Sequence, residues 1–288
     1  MKRAFARTSV WLAVMSVSMT LGAVSLFAGA VSEFREESSP VSPDADFTAA
    51  EITRMLHKTA AGERPNLSGR DLTYLDLADL DFKGANLSRS DFYGADFTGA
   101  NLSGTDLSKS RLDRSVLIRA NLSGANLAGA TIYRPTVYSD MTNKPSDAPR
   151  FAGANMSGVH VQAELSGSDF RGADLTGADF HPLEARPGQG TLVTMPKNVL
   201  KYCDFSGARL TGADMSQAVL WFAKFTGADL SGVNLKGADL SNADFSGADV
   251  TGMIVTEAEL DGANFSGAKG FDTVKGLDTA KNADRVRR

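Results

Sequence analysis

From Leu67 onward an apolar residue returns every five positions. The series runs unbroken from Leu67, Leu72, Leu77 and Phe82 to Val137. It resumes at Phe151, Met156 and Val161, slips by one residue to Leu165, Phe170, Leu175 and Phe180, and resumes again from Leu200 to Phe265. Of these 36 apolar centres, 20 have Ala two positions earlier, so a small and a large apolar side chain recur together and must both face inward. The residue just before the centre is most often Asp or Asn, the one after it often Ser or Thr, and Gly often follows. The unit reads A-(D/N)-(L/F)-(S/T)-G. A period of five fits neither the helix (3.6) nor the strand (2), so the pattern predicts a repetitive chain whose three polar positions face out and turn it.

Two segments break the repeat. Residues 138–150, YSDMTNKPSDAPR, and residues 181–199, HPLEARPGQGTLVTMPKNV, carry Pro and loop formers. On a monotonous scaffold such departures are places where specific function can sit. Before the repeats, Thr48 and Glu51 stand at capping-box spacing, with Phe47 and Ile52 placed as a hydrophobic staple. Ile52, Met55 and Leu56 share a helical face, and Gly62 and Pro65 end it. A helix within 47–64 is therefore predicted to pack over one end of the repeat region. After Phe265 the five-residue register is lost. Residues 269–288 read as a C-terminal tail or cap, with Phe271, Val274 and Leu277 covering the last coil and Arg285–Arg288 solvated.

These copies resemble the pentapeptide-repeat family over most of residues 65–268. The resemblance implies an all-β fold, a right-handed quadrilateral parallel β-helix with one repeat per side and four per coil. Residues twenty apart should then stack, and Phe205, Phe225, Phe245 and Phe265 are all Phe. Thirty-six repeats make about nine coils, roughly 43 Å long at the inter-strand spacing of about 4.8 Å. Both open ends need covering.

The N-terminal residues are different in kind. Lys2, Arg3 and Arg7 precede a stretch from Thr8 to Val31 without charge, which ends in Ala28-Gly29-Ala30. This is either a secretory signal cleaved after Ala30 or an uncleaved membrane anchor through residues 8–31. Both place the body outside the cytoplasm, in the periplasm or tethered to the inner membrane facing it. Residues 31–46 are charged, Ser-rich and Pro-containing, and read as a flexible linker.

Composition narrows the chemistry. The formal charge is −4, from 30 basic and 34 acidic residues, without the basic excess of a nucleic-acid binder. One cysteine excludes a disulfide framework and a cysteine-rich zinc site. Cys203 falls at an inward small-residue position, so a buried, inert thiol is expected. His57, His160 and His181 sit in the cap helix, on a repeat and at a loop start, and predict no metal site. Acidic residues occupy 17 of the 36 positions before the centre, so paired carboxylates are everywhere and specific nowhere. Their expected roles are solubility and turn hydrogen bonding. No catalytic residues, cofactor or metal are expected.

The candidate partner-binding patch is Tyr202, Trp221 and Phe222. Trp221 and Phe222 follow Leu220 at outward positions, and Tyr202 lies twenty residues before Phe222. The patch is either a contact surface or a surface covered by loop 181–199 through Leu192, Val193 and Met195. Tyr93 and Tyr133 share another outward column, with Asp113 between them. The expected function is a non-enzymatic exported scaffold presenting its faces and loops to a protein or envelope component, with homodimerisation open. Two alternatives remain at this level: a DNA mimic that protects type II topoisomerases, which the resemblance raises, and a β-helix enzyme acting on polysaccharide.

Overall fold

Every five-residue unit must satisfy five backbone N–H groups, and the unit from Asp91 to Ala95 shows how. The computed structural model describes residues 45–60, 62–140, 144–182 and 197–288. Asp91 N–H donates to Arg70 of the preceding coil (2.9 Å). Phe92 and Gly94 donate to Arg111 and Asp113 of the following coil (2.8 and 3.0 Å), and Ala95 closes a turn onto the Phe92 carbonyl (3.0 Å). The fifth, Tyr93 N–H, has no carbonyl to meet and donates to the Asp91 side chain (2.9 Å). The Asp or Asn before each centre is thus the acceptor that completes the repeat. Gly94, at φ +69°, supplies the left-handed turn residue at no steric cost.

Parallel bridges between residues twenty apart build four columns. One runs Asn66, Asn86, Asp106, Asn126, then past the first loop through Asn155 and Asp174 to Arg209, Asp229, Asp249 and Lys269. We number the sides from Leu67 (first), Leu72 (second), Leu77 (third) and Phe82 (fourth). Formal strand is confined to β1 (Thr131–Tyr133) and β2 (His160–Gln162), paired in parallel with Thr131 opposite His160. Elsewhere each side pairs through a single bridging residue before the chain turns, so a β-helix here carries little continuous strand.

The centres and the residues two before them fill the interior. On the fourth side Phe151, Phe170, Phe205, Phe225, Phe245 and Phe265 stack with centroids 4.6–5.0 Å apart and rings within 7° of parallel. That spacing is the coil repeat itself. The ladder continues unbroken across loop 181–199. On the surface, asparagine amides link successive rungs, as Asn101 to Asp81 and Asn121 to Asn101, each at 3.1 Å.

Both ends are covered. Helix α1 (Ala49–Lys58) begins in a complete Thr48–Glu51 capping box and buries Ile52 and Leu56 in the same core as Leu67 and Leu72. Lys83 Nζ closes its C-terminal end by donating to the Leu56 and Thr59 carbonyls (2.7 and 3.1 Å). The expected linker is shorter than 31–46 at its C-terminal end. Asp46 already belongs to the folded body, donating from its N–H to Asp71 O (2.8 Å) and accepting Asp71 N–H on its carboxylate (3.0 Å).

At the C-terminal end, of the two readings tail or cap, the structure shows a cap: Phe271, Val274 and Leu277 pack against the core. Residues 269–288 form this cap as another coil with six-residue sides. Lys269, Lys275, Lys281 and Arg287 bridge to Asp249, Ile254, Glu259 and Asn264, one on each side. The hydroxyls of Thr273 and Thr279 accept the Gly252 and Glu257 amides (2.8 and 3.4 Å), standing in for the carbonyls of a further ordinary coil. Phe271, Val274, Leu277, Ala280, Ala283 and Val286 pack half-buried beneath the core.

The breaks are individually fastened. In loop 138–150, Asp147 accepts from the Ser139 hydroxyl (2.5 Å) and amide (3.1 Å), and these bonds hold its carboxyl below the usual carboxylate range. At the end of loop 181–199, buried Asn198 donates to the Val161 and Phe180 carbonyls (3.0 and 2.5 Å) and accepts Ala163 N–H (2.8 Å). It ties the loop's entry and exit to the point where the register slips. Asn198→Ala leaves three buried backbone groups unpaired and is expected to cost roughly 3 kcal/mol, measured by denaturant unfolding. An unchanged midpoint would refute this role.

Across the surface, Arg209 pairs with Asp174, its Nε 3.2 Å from Oδ1. This contact, with the Thr176 hydroxyl and amide, lowers the Asp174 carboxyl to about 2. Because the folded value is depressed, the contribution is present at neutral pH and is lost as pH falls from about 4 towards 2. Arg209→Gln is expected to lower stability by up to about 1 kcal/mol at pH 6, with the difference vanishing near pH 2. A pH-independent difference would refute the assignment.

Candidate functional site

The outward positions of the third side differ from those of the other three. Among all 36 residues preceding a centre, only Val116, Val199, Val219 and Ile254 are apolar, and the first three share the third side. Each replaces the acidic or amide acceptor of its unit; after Val199 the Lys201 amide donates instead to the Ser166 hydroxyl of the preceding coil (3.1 Å). The following outward positions on this side hold Ile118, Tyr138 and Trp221, and the turn positions hold Tyr202 and Phe222. The result is two apolar groups on the third side, one around Val116, Ile118 and Tyr138 and one around Val199, Tyr202, Val219, Trp221 and Phe222, with Thr136, Glu164 and Ser166 between them.

The three interruptions within the five-residue series also fall there. Loop 138–150 leaves directly after Val137, a third-side centre. The one-residue slip lies between Val161 and Leu165, where the chain enters the third side. Loop 181–199 returns at Leu200, again on the third side. Tyr138 lies across the first break, its phenol donating to Ser166 O (2.6 Å). Burial pushes that phenol well above its ordinary pKa.

The three residues singled out from sequence form one cluster. Tyr202 and Phe222 stack with centroids 5.3 Å apart and planes within 4°, and Lys201 Nζ sits 4.1 Å from the Trp221 ring centroid. They are among the most exposed large apolar residues described, at 60% for Tyr202, 38% for Trp221 and 46% for Phe222. Covering by Leu192, Val193 and Met195 lies outside the described residues. Tyr202 and Phe222 also stand at φ +57° and +56°. A bulky side chain in this left-handed region costs about 1 kcal/mol that glycine would not. Two aromatic rings are therefore held exposed in strained backbone, a placement that burial does not explain.

The other candidate chemistry disperses. On the second side Tyr74 meets Tyr93 edge-on at 5.5 Å, and Arg111 lies 4.3 Å over the Tyr93 ring. Asp113, between Tyr93 and Tyr133, accepts the Tyr133 amide (3.1 Å) and pairs with Arg111 (2.9 Å). His160 and His181, far apart in sequence, meet the same carboxylate, Asp179, at 3.2 and 3.6 Å. His57 is remote in the last turn of α1. Among the described residues no group of three His, Cys, Asp or Glu side chains could hold a metal ion. Cys203 is fully buried, its thiol donating to Leu165 O (3.1 Å), and burial pushes its pKa up. No helix among the described residues is long and apolar enough to cross a membrane.

The repeat geometry has a counterpart among known families. The family described as pentapeptide repeats matches residues 66–99, 95–132, 150–181, 203–242 and 243–269 in eight copies, more than half of the chain. The chain belongs to the pentapeptide-repeat family. Proteins of this family fold as a right-handed β-helix, with which the four parallel columns agree. Similar solved structures include HetL, a pentapeptide repeat protein involved in heterocyst differentiation regulation from the cyanobacterium Nostoc sp. strain PCC 7120. It is 25% identical, with 84% of this chain and all of HetL covered and a TM-score of 0.39. QnrB1, a plasmid-mediated fluoroquinolone resistance protein, is 20% identical over 73% of this chain and 90% of its own, with a TM-score of 0.37. A pentapeptide repeat protein from the Arabidopsis thaliana thylakoid lumen is 30% identical over 42% of this chain and 66% of its own, with a TM-score of 0.23. Comparison with curated proteins returns no match.

If Tyr202 and Phe222 are kept for contact rather than stability, removing them should not weaken the fold. Tyr202→Gly with Phe222→Gly relieves two strained turns at the loss of one exposed stack. The melting temperature is expected to stay level or rise. A clear fall would mean that the pair is structural.

Proposed function

We propose that this pentapeptide-repeat protein is an exported, non-enzymatic scaffold that engages a protein partner through its third side. The observation that carries this reading is the exposed cluster of Tyr202, Trp221 and Phe222 beside Val199 and Val219, on the side where both loops leave or rejoin the repeat. Protein interfaces concentrate aromatic residues in such places and draw most of their binding energy from a few of them. Trp221 is the expected anchor, with Lys201 held against its ring. The uncharged N-terminal stretch supports export, so the partner sought is periplasmic or in the envelope.

Mimicry of duplex DNA is less well supported. It calls for continuous acidic columns, whereas Arg111, Arg150, Arg209 and Lys224 interrupt them. Polysaccharide hydrolysis would need convergent carboxylates in a cleft, and the carboxylates here are spread over four open sides.

Two measurements test the proposal together. Cells expressing the chain are fractionated, and the intact mass is determined. A periplasmic species lacking residues 1–30, or a membrane-bound uncleaved one, is expected; a full-length cytosolic species would overturn export. A photo-crosslinking amino acid is then placed at Trp221 and, separately, at Thr226 on the fourth side. A discrete adduct from position 221 alone is expected, abolished by Tyr202→Gly with Phe222→Gly. Equal adducts from both positions, or none, would overturn the third side as the contact face.

A further inference from the structure

The final coil is unlike the body in charge as well as in period. Residues 269–288 read KGFDTV-KGLDTA-KNADRV-RR and hold six cations against three carboxylates, a net of +3. The whole chain carries −4, so residues 1–268 carry −7. The positive charge is also arranged. Lys269, Lys275, Lys281 and Arg287 stand one on each side of the stack, each paired through its backbone to the coil before it. All four side chains are exposed, and none is in an ion pair among the described residues. Arg285 is held by Asp261 (2.8 Å), and Arg288 lies 4.7 Å over the Phe271 ring. Inside this perimeter sit the half-buried Phe271, Val274, Leu277, Ala280, Ala283 and Val286.

A closed ring of cations around an apolar centre matches a plane of anionic groups better than a linear polyanion, which would be met by a stripe along one side. The acidic body behind the ring is repelled by the same plane, which favours an end-on approach. We propose that the C-terminal coil docks this protein end-on onto a bilayer surface bearing anionic phospholipids. The ring engages the headgroup phosphates, and Phe271 and Leu277 reach the interface between them. This docking does not depend on the third-side reading and stands or falls separately.

The test uses the full chain and two vesicle types, phosphatidylcholine alone and phosphatidylcholine mixed with phosphatidylglycerol. Residues 8–31 can insert into either, so the readout is the difference in affinity between the two and its decline with salt. The wild-type chain is expected to prefer the anionic vesicles. Replacing Lys269, Lys275, Lys281 and Arg287 together by Gln is expected to reduce that preference roughly tenfold or more. A second variant keeps the result from resting on a loss alone: Asp272→Asn, Asp278→Asn and Asp284→Asn together raise the net charge of the coil and should strengthen the preference. Circular dichroism checks that each variant retains the coil stack. Equal affinity for both vesicles, or a preference unmoved by either variant, would overturn the proposal. So would salt-sensitive self-association without vesicles that accounts for the effect of both variants, since the ring would then be meeting the acidic body of a second copy.

Discussion

The fold depends on one amide. In a regular five-residue unit four N–H groups meet backbone carbonyls of the same or a neighbouring coil, and the fifth, just after the apolar centre, meets none. Asp or Asn two residues earlier supplies the missing acceptor, as Asp91 does for Tyr93 and Asp174 for Thr176. Much of the acidity of the body follows from this requirement. The same residues then do secondary work, with asparagine amides reaching along the stack and carboxylates drawing in Arg209 or Arg111. The small residue before each unit and the glycine after it complete the geometry, one by fitting inside and the other by turning the chain.

A stack of coils is open at both ends and must be closed by something that does not propagate the ladder. The two ends do so differently. At the start, α1 lays Ile52 and Leu56 on the first coil and returns no edge. At the finish, the unit lengthens to six residues, and threonine hydroxyls take the bonds that carbonyls take elsewhere. Between the ends, the phenylalanine ladder runs through the register slip and the second loop with unchanged spacing, and Asn121 bridges to Arg150 across the first loop. The loops are therefore insertions into a continuous core, fastened by Asp147 and Asn198, rather than boundaries between domains.

Against this economy the third side stands out. Val116, Val199 and Val219 each forgo the acceptor that the unit calls for, and Tyr202 and Phe222 occupy turn positions where glycine is less strained. The two aromatic rings remain exposed, at 60% and 46%. A surface that departs from the local rules without a stabilising return is where function is best sought, and the three breaks in the repeat fall beside it.

Much of this was legible in the chain itself. The inward register, the capping box at Thr48, the stacking of Tyr202 on Phe222 and the burial of Cys203 follow from counting in fives and twenties, because a solenoid maps sequence distance directly onto space. Where the count changes, that mapping fails. The six-residue period of Lys269, Lys275 and Lys281 was hidden by a five-residue reading, which left open whether the last residues were a tail or a cap. The extension of the Phe205–Phe265 ladder back to Phe151 was hidden by insertions that shift its spacing. The meeting of His160 with His181 at Asp179 and the three side-chain hydrogen bonds of Asn198 join residues separated by the slip and the second loop. Sequence alone determined which residues lie inside and which side chains serve the turns, since those are local requirements repeated 36 times. Only the tertiary structure decided which side each break falls on and what the ends present, because these depend on the summed phase of every unit and insertion before them.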